Sequence, residues 1–193
     1  FFCKKDINIT QYISHSHITV EGDLWVGNIT NDKADGKLFG SRVLTGGSVH
    51  IGTLGSACGA MTYLNFNYWP KIVEELKISA DEANYKIIRR LPRIYKLLQK
   101  ANDLDNENTK QINRITHALK QHLYLLGKLN KEWLEKANNI NEHLAIFELT
   151  AYQSILSGVN IEVATKNYAF KRDHEATQIK WLENKISIEP IVN

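Results

Sequence analysis

The chain is 193 residues long, 43% hydrophobic and 23% charged, with a formal net charge of +3. That composition excludes a disordered tail and a collagen-like chain, and fits one globular domain or one domain carrying a large insertion. The charge is too small to argue for nucleic acid by itself, no apolar run approaches a transmembrane span, and no signal peptide is legible.

The chain opens Phe1-Phe2-Cys3 without a methionine and reads as a piece of a longer protein. Its two cysteines, Cys3 and Cys58, have no metal-ligand spacing and point to a reducing compartment. His15-Ser16-His17 follows, and on a strand it sets two imidazoles on one face. Zinc takes three or four ligands and no further ligand is near, so two solvent-facing histidines are the better reading.

A repeat occupies the front of the chain. Ile18-Thr19-Val20-Glu21-Gly22-Asp23-Leu24-Trp25-Val26-Gly27 recurs as Val43-Leu44-Thr45-Gly46-Gly47-Ser48-Val49-His50-Ile51-Gly52, at an offset of 25 residues. Apolar positions match at 18/43, 24/49 and 26/51, and the register extends back to Ile13/Leu38 and Ser16/Ser41 and forward to Leu38/Tyr63 and Val43/Tyr68. Alternation such as Leu24-Trp25-Val26 turns one side chain in and the next out. Gly22, Gly27, Gly47 and Gly52 are the expected corners, and such copies bury their inner faces only by stacking. The pattern predicts a β-solenoid, three-sided by its period.

Reactive groups in this region read as structural. Asp23 is matched by Ser48, so Asp23 and Asp35 are turn residues rather than a calcium repeat. His50, between inward Val49 and Ile51, points out of the solenoid; a β-helix acyltransferase base would need a six-residue repeat, which is absent. Gly52–Gly59 is glycine-rich but lacks the lysine and following helix of a phosphate loop. No other catalytic motif occurs, and no cofactor or metal is expected.

A third rung begins at Tyr63, Leu64 and Phe66 and breaks at Trp69-Pro70, where proline suits the first turn of a helix. An insertion of about 85 residues then separates it from Ser157-Gly158-Val159-Asn160-Ile161-Glu162-Val163, whose alternation resembles Val49/Ile51. The predicted units are residues 1–69, a helical hairpin over 70–154, and a return to the solenoid with a cap over 155–193.

In the first helix Leu76, Ala80, Ala83, Ile87, Leu91, Ile94 and Leu98 trace one stripe; Ser79–Glu82 resembles a capping box and Pro92 should kink the helix. The second carries Ile112, Ile115, Leu119, His122, Leu126, Leu129 and Trp133 at coiled-coil spacing, continued by Ile140 and Phe147. His122 is a polar group at a core position, able to set register. The polar stretch at 102–108 is the expected tip. Forty helical residues span about 60 Å, so an antiparallel arm is expected, supported by pairing with another subunit. Lys86, Arg89, Arg90, Arg93, Lys96 and Lys100 form a basic flank. It is either a solvated flank facing acids such as Glu132 and Glu135, or a docking face for an acidic partner, anionic surface or nucleic acid. At the end, Tyr168/Phe170, Ile179/Trp181 and Ile186/Ile188 alternate as strands that would cap the solenoid.

The order of these parts is uncommon. Val20–Gly27, then Thr45–Ser56, then the coiled coil, then Ser157–Ile161 resemble the C-terminal part of the bacterial flagellar assembly protein A family. The resemblance spans nearly the whole chain and about half of a family member. It implies a right-handed β-helix and a cytoplasmic, non-enzymatic bacterial protein linked to flagellar assembly, with a scaffolding or oligomerising habit. It brings no catalytic residue to carry over. Asn28–Lys37 is more polar than a usual rung and Cys58-Gly59-Ala60-Met61 less regular, which leaves the rung count open.

Two readings follow: a structural or interaction protein with protein partners, itself an oligomer, and a nucleic-acid- or anionic-surface-binding module using the basic flank. Neither involves a small-molecule substrate.

Overall fold

A computed structural model describes all residues except 31–32, 101–105, 146, 183–184 and 192–193. It divides into a strand-rich unit, residues 1–71 with 139–193, and a helical unit, residues 72–138.

Short strands coil through the first unit. The first turn contains β1 (Phe2–Cys3), β2 (Ile7–Ile9) and β3 (Tyr12–Ser14). The second contains β4 (His17–Val20), β5 (Leu24–Val26), a small antiparallel pair β6 (Ile29–Thr30) and β7 (Lys33–Ala34), and β8 (Lys37–Phe39). The third contains β9 (Arg42–Thr45) and β10 (Val49–Leu54). The fourth opens with β11 (Thr62–Asn65) and closes, after both helices, with β12 (Glu148–Ile155); β13 (Val159–Val163) starts the fifth.

Like strands stack in parallel. β1, β4, β9, β11 and β13 form one sheet; β2, β5, β10 and β12 form the other, with β3 and β8 joined to it through β10. Alternation has the effect expected of it: Ile7, Leu24, Val49 and Leu149 stand in register in one ladder, and Ile18, Val43, Leu64 and Ile161 in the other. All are buried, and together they form one apolar core. The expected matches 13/38, 18/43, 24/49 and 26/51 are the observed pairs.

A third ladder joins β3, β8 and Thr53–Leu54 of β10, with Ile13, Leu38 and Leu54 in register, so the strands pair along three sides as the period suggests. Other expectations change. The 25-residue offset belongs to one turn only, because that turn carries the excursion with β6 and β7; Ile7 reaches Leu24, and Asp6 reaches Asp23, across 17 residues. For the same reason the forward register fails, and Val43 pairs with Leu64, not Tyr68. Gly52 lies in β10 where its partner changes from β5 to β8 and the register shifts, the corner expected there, and a Cβ would sit 2.6 Å from the Asp35 backbone carbon. The chain re-enters the sheets at Glu148, ahead of the expected 155. β12 is the strand that pairs with Val49 and Ile51, whereas Val159 and Ile161 pair with Thr62 and Leu64. Phe147, expected in the helical stripe, instead packs against Phe66 with ring centroids 3.9 Å apart.

The coil ends by reversing direction. β14 (Lys166–Phe170) lies antiparallel on β13, while β15 (His174–Leu182) and β16 (Lys185–Pro190) extend the other sheet antiparallel from β12. Phe170 and Ile179 turn inward and are fully buried, so these hairpins cover what the last parallel strands would otherwise expose.

The helices are α1 (Tyr68–Lys100) and α2 (Asn106–Ala145). Lys71 donates the first helical hydrogen bond to the Asn67 carbonyl, and Pro70 falls in the first turn as expected. The Ser79–Glu82 capping box does not start a helix: Ser79 is interior, and its hydroxyl donates to the Glu75 carbonyl one turn back. α1 continues through Pro92. Of the expected tip, 102–105 lie outside the described residues and 106–108 belong to α2. Among the described residues no helix is long and apolar enough to cross a membrane.

Candidate functional site

Within the helical unit, the least exposed stripe of α1 is Leu76, Ala80, Ala83 and Ile87. On α2 it is Ile115, Leu119, His122, Leu126, Leu129 and Trp133, all half-buried. These are the expected seam positions. Leu91 is not among them, being 48% exposed. Helical spacing of three and four from Ala83 and Ile87 reaches position 90, one residue earlier. Arg90 occupies it, and its guanidinium donates to His122 Nε2 at 2.8 Å. A guanidinium only donates, so Nε2 accepts. Ile87, Arg90, Arg93, Ile115, Ala118, Leu119 and His122 line a cleft of about 340 Å³. The side chains of Ile94, Leu98, Ile112 and Lys100 lie outside the described residues. Trp133 Nε1 is buried without a hydrogen-bond partner.

Of the basic flank, Lys86, Arg89, Arg90, Arg93 and Lys96 are all exposed, and Arg90 also reaches His122. Lys86 meets Glu82 at 3.7 Å and Lys131 meets Glu135 at 3.8 Å, each one turn apart on its own helix. The acids expected to face the flank thus include one, Glu135, that pairs within α2. The Arg89 guanidinium lies over the Tyr85 ring, 5.5 Å from its centroid. The signal for Arg90 lies in the sequence spacing: a strict heptad continued from Ala83 lands on it.

In the strand unit, carboxylates tie turn to turn. Asp6 Oδ1 accepts from the Asp23 amide at 2.8 Å, and Asp23 Oδ1 accepts from the Ser48 amide at 2.6 Å. Asp35 Oδ1 accepts from the Asn28 amide. These are turn residues. Gly22 and Gly47 stack at this corner, a Cβ on Gly47 lying 2.6 Å from the Gly22 carbonyl carbon. Gly27 marks the start of the excursion and has φ +108. The two histidines expected on one strand face are separated by a corner: His15 has φ 48 and lies between β3 and β4, and His17 begins β4.

One cluster on the outer face of the second sheet escaped the sequence reading. His50 points outward and stacks on Trp25, with centroids 3.8 Å apart, and shares a 3.3 Å hydrogen bond with the Tyr152 hydroxyl. The repeat held the signal, since Trp25 and His50 match at the same offset as Leu24 and Val49. Burial pushes the His50 imidazole below its ordinary value, against the opposing pull of the Glu148 and Asp23 carboxylates. Burial alone would raise Glu148. Hydrogen bonds from Thr150 and Gln178, with Lys180 and His50 nearby, instead hold it below its ordinary value. Among the described residues no group of three or more His, Cys, Asp or Glu is placed to hold a metal.

The family model described as the Flagellar Assembly Protein A beta solenoid domain matches residues 1–186. No curated protein and no solved structure matches the chain.

Proposed function

This chain belongs to the flagellar assembly protein A family, and from that membership we propose that it is a non-enzymatic scaffold in flagellar assembly whose helical pair is the docking and oligomerising element. The observation that carries the reading is the place of the helices in the chain. β11 bonds to β9 and β13, and β12 bonds to β10 and β15, so the sheets close without any contribution from residues 72–138. Yet those residues display Ile78, Tyr85 and Ile88 on α1 and Leu123, Tyr124 and Leu125 on α2, each roughly half or more exposed. Large side chains kept in water on a segment the core does not use favour a partner surface.

The same reading takes the helices as an antiparallel coiled coil, supported by the half-buried stripes and the Arg90–His122 bond. It takes the strand coil as right-handed, the hand that parallel crossovers adopt almost without exception. It places the protein in the bacterial cytoplasm, in keeping with two free cysteines. Its partners are proteins, including further copies of the chain, with no cofactor or small-molecule substrate.

Light scattering across a concentration series tests this. The intact chain should be a defined oligomer, and a version with 72–138 replaced by a short Gly-Ser linker a monomer. Equal assembly by both would overturn the role given to the helices. The rival reading, an anionic surface or nucleic acid bound by the basic flank, has the exposure of Lys86, Arg89, Arg90, Arg93 and Lys96 in its favour. It requires binding that falls steeply with salt and is weakened by Arg93→Glu.

A further inference from the structure

The face of α1 opposite its seam is both apolar and charge-divided. Ile78, Tyr85 and Ile88 are 53%, 60% and 62% exposed, and they follow spacings of seven and three that keep them on one side. The charges beside them are sorted along the helix. Before Ala83 the exposed acids Glu74, Glu75, Asp81 and Glu82 outnumber the cations; from Ala83 to Lys100 every charged residue is a Lys or Arg. A helix that only needed solubility would gain more from mixing the two signs, since opposite charges one turn apart stabilise it.

We propose that this face pairs with the same face of a second copy, antiparallel, about a two-fold axis passing close to Tyr85. The proposal deepens the assembly reading above and rests on it. An isologous contact must be self-complementary: if residue i meets j, then j meets i. With Tyr85 at the axis, Glu82 comes beside Arg89 of the second copy and Glu75 beside its Lys96, and both pairs occur twice. Ile78 comes to the level of Leu91 and Pro92, both exposed. A parallel pairing would instead set Arg89 against Arg89 and Lys96 against Lys96, which like-charge repulsion disfavours. The groups are positioned for the contact. Arg89 is held over the Tyr85 ring at 5.5 Å, and Glu82 reaches Lys86 at 3.7 Å while remaining exposed.

The test uses charge reversal in the full chain, read by sedimentation or light scattering at low salt. Wild type should be a dimer. Glu82→Arg and Arg89→Glu should each raise its dissociation constant at least tenfold, with the helical circular-dichroism signal unchanged. Mixed in equal amounts, the two variants should form a dimer with each other. The arginine introduced in one chain then faces the glutamate introduced in the other, and the first chain's native Arg89 faces the second chain's native Glu82. The double variant should recover self-association. Dimers unaffected by either reversal would place the contact elsewhere, overturning this surface but not the assembly reading. Two monomeric variants that fail to rescue one another would overturn the antiparallel register. A wild-type chain monomeric at every concentration would overturn this proposal together with self-assembly.

Discussion

Glycine and the ionisable groups of the strand unit give the sharpest residue-level expectations. Gly27 has φ +108, and a Cβ there would collide with the Gly36 amide nitrogen, a backbone atom that cannot step aside. Gly59 has φ +75 but opens onto empty space. Gly27→Ala should therefore cost at least about 3 kcal/mol, combining left-handed strain with overpacking, and Gly59→Ala only about 1 kcal/mol. Urea midpoints at constant slope would separate them. The His50–Glu148 neighbourhood predicts acid sensitivity in two stages. Because burial lowers the folded imidazole below its ordinary 6.5, the unfolded chain binds that proton first, and stability falls as pH drops through about 6.5. Glu148, held below its ordinary 4.5, stabilises above that value and loses its contribution as pH falls further. Melting temperatures from pH 8 down to about 2.5 should show both limbs, with His50→Gln flattening the first and Glu148→Gln the second.

At the scale of the element, the seam of the helical pair has a register that side-chain truncation can read. Ile87 is 8% exposed and Leu91 48%. Ile87→Ala should cost about 3 kcal/mol and Leu91→Ala less than about 1 kcal/mol, followed by the 222 nm signal so that the helices are monitored apart from the strands. Equal losses would restore Leu91 to the seam. That one-residue difference shows where sequence reading stops. Leucine is attractive as a core residue, and an arginine at the same heptad is easily assigned to a flank; the heptad step from Ala83 points to Arg90, and the partner, His122, decides it. Parallel stacking was legible because alternation has period two and a slip of one residue would expose Leu24, Val49 and Ile51 together. The length of the other turns was not. The second turn carries an excursion that inflates its length, and one matched pair of turns cannot reveal which of its residues are extra. β12 was hidden for a different reason. Glu148–Ile155 includes Thr150, Tyr152 and Ser154, and its inward residues include the small Ala151, so no run of branched apolar side chains announces a strand. The outward cluster of Trp25, His50 and Tyr152 depends on that unseen strand for one of its members.

The strand unit is a coil interrupted in sequence, and the limits of the interruption decide what can be removed. The boundaries read from sequence suggest excising residues 71–154. That cut removes β12 as far as Ser154, with the fully buried Leu149 and Ala151, and with it the bridge from β10 to β15. Full burial of an aliphatic side chain contributes about 1.5–3 kcal/mol, and a whole ladder on each side is lost besides. The sum approaches the entire stability of a typical domain, about 5–15 kcal/mol, so the long excision should leave a chain without a cooperative transition. Excising only 72–138 keeps β12, Phe147 and its partner Phe66, and the Trp69 indole, which donates to the Gly46 carbonyl at 3.0 Å. Closing the gap with a short flexible linker changes loop entropy by no more than about 2 kcal/mol, since that cost grows only logarithmically with length. The short excision should thus retain β-type circular dichroism and a single urea transition, where the long one does not. If the short excision also failed to fold, the strand unit would depend on the helices for stability, and the helices would have to be counted as part of its core rather than as a surface it carries.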